Sequence, residues 1–214
     1  MSTSEAGIRS RFDWAIAGAL RFTVVSLLAF GFWASADRRT YRQIGEGGLY
    51  AGCLLIFILA SVVWLRPLAS PPFRSIGRFA ARFGLVMLLY AIAWCAAWFM
   101  LKGKLGEWCG SLAGSFVLGY GIVRLFGNGK NGLIVSLFIF ALHSGGYFLG
   151  DLVFAATTRG AWATPMVQHL DKPLAGVVTK LLWGLWYGLG MGAGLGIAFR
   201  EANEQQLLAE KNAK

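Results

Sequence analysis

Six apolar stretches, each close to the length a helix needs to cross a bilayer, take up most of this 214-residue chain. At a rise of 1.5 Å per residue, about 20 predominantly apolar residues cover roughly 30 Å of hydrocarbon, where every backbone N–H and C=O must be bonded internally. The stretches run over 15–36, 48–65, 79–101, 106–126, 132–156 and 174–199. The pieces between them carry the glycine, proline and charged residues of short loops, and none is long enough for a second domain. Composition agrees: 57% of residues are hydrophobic and only 14% charged, against about 25% charged in a soluble domain. That is too little polar surface to coat a globule in water. The expected fold class is all-α, a polytopic integral membrane protein forming one six-helix transmembrane bundle over 1–214. Its polar tail from 200 onward is a short helical extension into water, or frayed.

Lysine and arginine resist translocation, so their distribution predicts orientation. With the N-terminus inside, eleven fall on the inner side (Arg9, Arg11, Arg66, Arg74, Arg78, Arg82, Arg124, Lys130, Arg200, Lys211, Lys214). Seven fall outside (Arg38, Arg39, Arg42, Lys102, Lys104, Arg159, Lys172), and Arg21 and Lys180 lie within the spans. Both termini are therefore expected on the cytoplasmic side, in a bacterial inner membrane. The net charge of +10 reads as this bias plus attraction to anionic headgroups, so membrane lipids are expected partners and nucleic acid is not. Arg21 and Arg82 are placed to snorkel to the inner boundary. Ala34-Ser35-Ala36 has the small-x-small form of a signal-peptidase site, but the charged region ahead of it is long, and an uncleaved first span is the expectation.

The fifth segment carries the most unusual chemistry. His143, Tyr147 and Asp151 recur every four residues and so share one helical stripe. A stranded ionisable group in hydrocarbon is costly, so the stripe should face the bundle interior or a cavity. Lys180, about six residues into the returning sixth segment, falls at the depth of Asp151 and is its expected ionic partner. These four residues are the candidate ligand-binding set, between segments five and six; a structural ion pair and a satisfied interhelical histidine are the plainer alternatives. Ser144-Gly145-Gly146 beside the histidine is either a packing notch or an unwound point.

In the sixth segment Gly184, Gly188, Gly192 and Gly196 stand at a strict spacing of four, a stripe that lets another helix approach to backbone contact. Its partner is open: Gly110 and Gly114 of segment four, Gly146 and Gly150 of segment five, a second copy of the chain, or another membrane subunit.

Cys53, Cys95 and Cys109 share one outer level, but an odd count without CxxC spacing supports no metal site, and small apolar packing is the expectation. Two histidines exclude stacked bis-histidine haems. No nucleotide loop, zinc-protease or hydrolase-elbow motif occurs, so no cofactor, metal or catalytic set is expected. The leading function is transport or binding of a small solute, ion or lipid through the site between segments five and six. An accessory subunit packed through the glycine stripe is the alternative, and a lipid-modifying enzyme with His143 as base trails both.

Overall fold

Local chemistry sets where each helix begins. The computed structural model describes residues 10–213; Arg9 and Lys214, both in the inner count above, lie outside them. Ser10 and Asp13 form a reciprocal capping box that opens α1 (Arg11–Ser35), satisfying amides that have no partner in a helix's first turn. Asp37 accepts from the Thr40 amide at 2.8 Å and starts α2 (Arg38–Trp64); that bond holds its carboxyl below the usual carboxylate range. Two short 3₁₀ turns, Arg66–Leu68 and Pro71–Phe73, lead to α3 (Ile76–Leu101). Then come α4 (Gly103–Phe126), α5 (Gly132–Thr158), the short α6 (Ala163–His169) and α7 (Lys172–Asn212), whose first turn is capped by Asp171. No strand occurs among the described residues.

All but α6 are long and apolar enough to cross a bilayer, and they match the six expected segments. Two boundaries differ. α2 starts ten residues early because Asp37 caps it, and it tolerates a break at Gly45, whose φ of 66° belongs to the left-handed region that glycine enters without penalty. α7 does not stop at Phe199 but continues for 41 residues in all, about 60 Å at the helical rise.

The six long helices close a circuit, α1–α7–α5–α4–α3–α2 and back to α1, with α4 also touching α7 across the middle. Connections one, three and five gather at an upper end. There Trp33 bonds Tyr41, and Lys104 reaches Asp151. Connections two and four lie at a lower end, where the α7 extension ties them down. Asn203 donates to the Leu68 carbonyl at 2.9 Å; Gln205 donates to the Lys130 carbonyl at 2.6 Å and accepts from the Asn128 amide at 2.8 Å. The start of the polar tail is thus tied down, since its amides satisfy loop backbone that no ladder reaches, and the helix runs on from there as the expected extension, exposed over 207–212.

The two halves of the bundle are filled differently. In the lower half Phe79, Phe83, Phe126 and Phe199 are fully buried and stack on one another with centroids 5.3–6.2 Å apart. In the upper half the aromatic rings stand around a void.

Candidate functional site

That void is a cavity of about 590 Å³ bounded by α1, α2, α3 and α7, with Tyr147 of α5 and Glu107 of α4 in its wall. Half of its 24 lining residues are aromatic, which makes it a site for apolar or planar molecules and a poor path for hydrated ions. Among the described residues Glu46 and Glu107 are its charged lining groups, and no lysine or arginine lines it. Ala51, Leu88 and Ile92 in the wall are also exposed, so the cavity opens sideways between α2 and α3. Tyr41, Glu46 and Tyr50 mark a second opening at the upper end. Why a void forms here follows from packing: α1, α7 and α5 are drawn together by glycines, whereas α2 and α3 meet sparsely and hold the rings of Tyr50, Phe57 and Trp94 off one another.

At the cavity floor a run of polar groups enters the bundle. The Tyr187 and Tyr90 hydroxyls are 3.0 Å apart, and Tyr90 Oη lies 3.2 Å from His143 Nε2. His143 Nδ1 lies 3.2 Å from Ser111 Oγ, which is 2.6 Å from Ser144 Oγ. Five side chains from α7, α3, α5 and α4 thus form one hydrogen-bonded chain, all buried, with His143 at 0% exposure. The rings of Tyr90, Trp94 and Tyr187 meet the imidazole edge-on at 5.4–5.9 Å between centroids, a favourable approach of ring edge to ring face.

The four candidate residues are therefore distributed around the cavity and not gathered between α5 and α7. Tyr147 lines it directly. His143 sits behind it, bonded to Tyr90. Asp151 does not pair with Lys180: it takes Lys104 at 2.7 Å, and Lys104 also holds Glu107 at 2.8 Å. Lys180 instead lies 4.8 Å from the centroid of the Trp33 ring and 3.4 Å from the Trp33 carbonyl. The expected ion pair fails because Lys104, in the sharp α3–α4 turn, reaches across to α5, while the rings of α1 offer Lys180 a cation–π seat. Nor can a site lie between α5 and α7 at mid-length, since their backbones touch. A Cβ on Gly190 would stand 2.8 Å from Gly146 Cα, and one on Gly146 would stand 3.0 Å from Gly190 Cα. α5 is unbroken through Ser144-Gly145-Gly146, so that stretch is a notch and not an unwound point.

The stripe of Gly184, Gly188, Gly192 and Gly196 is occupied inside the chain by α1. Phe30 lies over Gly184, Thr23 and Ser26 over Gly188, Ala19 and Phe22 over Gly192, and Trp14 over Gly196. Ser26 Oγ adds a 2.7 Å bond to the Gly184 carbonyl. Neither Gly110 and Gly114 nor Gly146 and Gly150 fill it: the first pair receives Trp94 and Tyr90 of α3, and the second takes Gly190 and Trp183 on a different face of α7. The stripe is thus not a free surface for another subunit. The three cysteines are free thiols, with Cys53 and Cys95 in the cavity wall. Arg21 and Arg82 do anchor, on the Trp64 and Leu125 carbonyls. Among the described residues no cluster of potential metal ligands occurs.

Tyr90, Tyr187 and Ser111 escaped the sequence reading. The available signal was a tyrosine well inside an apolar segment, since a phenol at that depth needs a polar partner, but nothing in the spacing says which of five other helices supplies it.

Fold and composition together suggest an integral membrane protein with multiple spans. No family model matches the chain, and neither a curated protein nor a solved structure matches it.

Proposed function

We propose that the chain is an integral protein of the bacterial inner membrane, both termini cytoplasmic, that binds a small apolar molecule or lipid in the aromatic cavity and passes it to or from the bilayer. The observation that carries this reading is the cavity itself, large enough for a drug-sized or single-chain ligand, open to the side between α2 and α3. In a bilayer spanned by these helices an opening at that depth would face acyl chains, where an apolar ligand is already concentrated. The orientation is supported by the lower end, where Arg66, Arg74, Arg78, Arg82, Arg124, Lys130 and Arg200 accompany the C-terminal extension. Accessory-subunit packing through the glycine stripe loses its basis, because α1 fills that stripe.

The test is retention. Protein extracted in mild detergent should carry a non-protein apolar mass in native mass spectrometry, and Ala91→Trp, which fills the cavity from α3, should remove that mass while the protein stays folded. A cavity empty of ligand in wild type, with apolar probes bound no more by wild type than by Ala91→Trp, overturns the reading.

A further inference from the structure

The floor of the cavity carries one hydrogen more than it has bonds to use. Tyr187, Tyr90, a neutral His143, Ser111 and Ser144 bring one polar hydrogen each, five in all, to the four contacts that join them. No acidic side chain bonds the imidazole, so it is neutral, with one N–H that resides on either nitrogen. The chain then has two polarities. In one, each group donates away from the cavity: Tyr187 to Tyr90, Tyr90 to Nε2, Nδ1–H to Ser111, Ser111 to Ser144. The spare hydrogen belongs to Ser144, whose hydroxyl has Ser111 as its hydrogen-bond partner among the described residues. In the other, every bond is reversed, Nε2 carries the proton, and the spare hydrogen is that of Tyr187.

Among the described residues Tyr187's hydroxyl has Tyr90 as its hydrogen-bond partner, and its ring lines the cavity. Each polarity therefore leaves one buried donor over, at Ser144 or at Tyr187, and an acceptor in the cavity removes that penalty from the second alone. Tyr147 in the same wall makes ring contacts with Trp94 and Trp183, while its hydroxyl makes no hydrogen bond among the described residues. Two phenols thus await an oxygen.

Resting on the cavity as a binding site, we infer that its ligand is an apolar molecule bearing a carbonyl-type acceptor oxygen, which docks on Tyr187 and shifts His143 toward the Nε2–H tautomer. The coupling is reciprocal: what favours the Nε2–H form tightens binding, and binding favours that form. A ligand with no acceptor oxygen would leave the balance of the two tautomers unchanged.

A matched pair of probes tests this. Fluorenone and fluorene share one planar skeleton, and only the ketone has an acceptor oxygen. Equilibrium dialysis against wild type in phosphatidylcholine nanodiscs, corrected with empty nanodiscs, should show fluorenone bound about three- to tenfold more tightly, the worth of one neutral hydrogen bond. Tyr187→Phe should bring the ratio close to one. The chain has two histidines, His143 and His169, so ¹⁵N-histidine labelling with His169→Gln for assignment reads the tautomer in otherwise native protein. Saturating fluorenone should shift His143 toward Nε2–H, and fluorene should not. This measurement needs no change in the site, so it decides even if Tyr187→Phe does not fold. Equal binding of the two probes, or a His143 tautomer that fluorenone leaves unmoved, overturns the inference while the cavity remains a binding site. Binding of neither probe overturns both.

Discussion

An imidazole with no exposure must satisfy both ring nitrogens from inside the bundle or lose the desolvation of each. His143 does so with Tyr90 on one side and Ser111 on the other. His143→Phe keeps the ring in its edge-on aromatic setting and removes both bonds, so it should lower stability by about 1–2 kcal/mol at the modest worth of interhelical hydrogen bonds in membranes. Because Tyr90→Phe breaks one of the same bonds, the double variant should be destabilised by less than the two single losses combined. Thermal unfolding in detergent across the four proteins checks this; strict additivity would mean that the 3.2 Å contacts contribute nothing. The inward placement of His143 and Tyr147 was legible because spacing alone puts them on one stripe. Their partners were not, since Tyr90 and Tyr187 are 53 and 97 positions from the residues they bond, and helix order does not encode which faces meet. Asp151 shows the same limit from another side: depth pointed to Lys180 as its cation, but the α3–α4 turn brings Lys104 to it while Lys180 sits on Trp33.

Among the helices, α7 is the organiser, and its glycines act on two faces. Those at 184, 188, 192 and 196 admit α1, while Gly190 and Gly194 admit α5 at Leu142, Gly146 and Ile139. Close approach of this kind gains dispersion and weak Cα–H···O contacts where lipid offers no hydrophobic drive. At Gly192 a single added methyl would lie 2.8 Å from both Ala19 Cα and Phe22 Cβ, and backbone cannot yield as a side-chain tip can. Gly145, also helical, has nothing within 4 Å of an added Cβ. Gly192→Ala should therefore destabilise by about 1–3 kcal/mol through overpacking, whereas Gly145→Ala should be neutral or stabilising by up to about 1 kcal/mol, the helical preference for alanine. Similar melting temperatures for the two variants would contradict the packing described. A stripe at strict spacing was readable as a docking face. That α1 fills it was not, because the small residues of its contact surface, Gly18, Ala19, Thr23 and Ser26, are interspersed with the bulky Trp14, Phe22 and Phe30 and form no stripe of their own.

At the scale of the whole molecule, the six spans were the most legible feature, because length and apolarity are set by the solvent and need no knowledge of neighbours. The cavity was invisible for the opposite reason: it is a property of how loosely α2 meets α3, and both read simply as apolar helices. Two openings result, one beside α3 residues Leu88 and Ile92, the other beside Tyr41, Glu46 and Tyr50 at the upper end. On the proposed membrane placement only the first faces the hydrocarbon in which an apolar ligand dissolves. If it is the route, a bulky residue at its lip raises the barrier for entry and exit together, since both pass the same point, and leaves the bound state unaltered. Ile92→Trp should slow binding and release of fluorene by the same factor, with the affinity unchanged, in stopped-flow quenching of tryptophan fluorescence. Tyr50→Trp, at the upper mouth, should leave both rates as they are. The reverse pattern would place the route at the polar end, and the ligand would then come from the aqueous side and not from the bilayer.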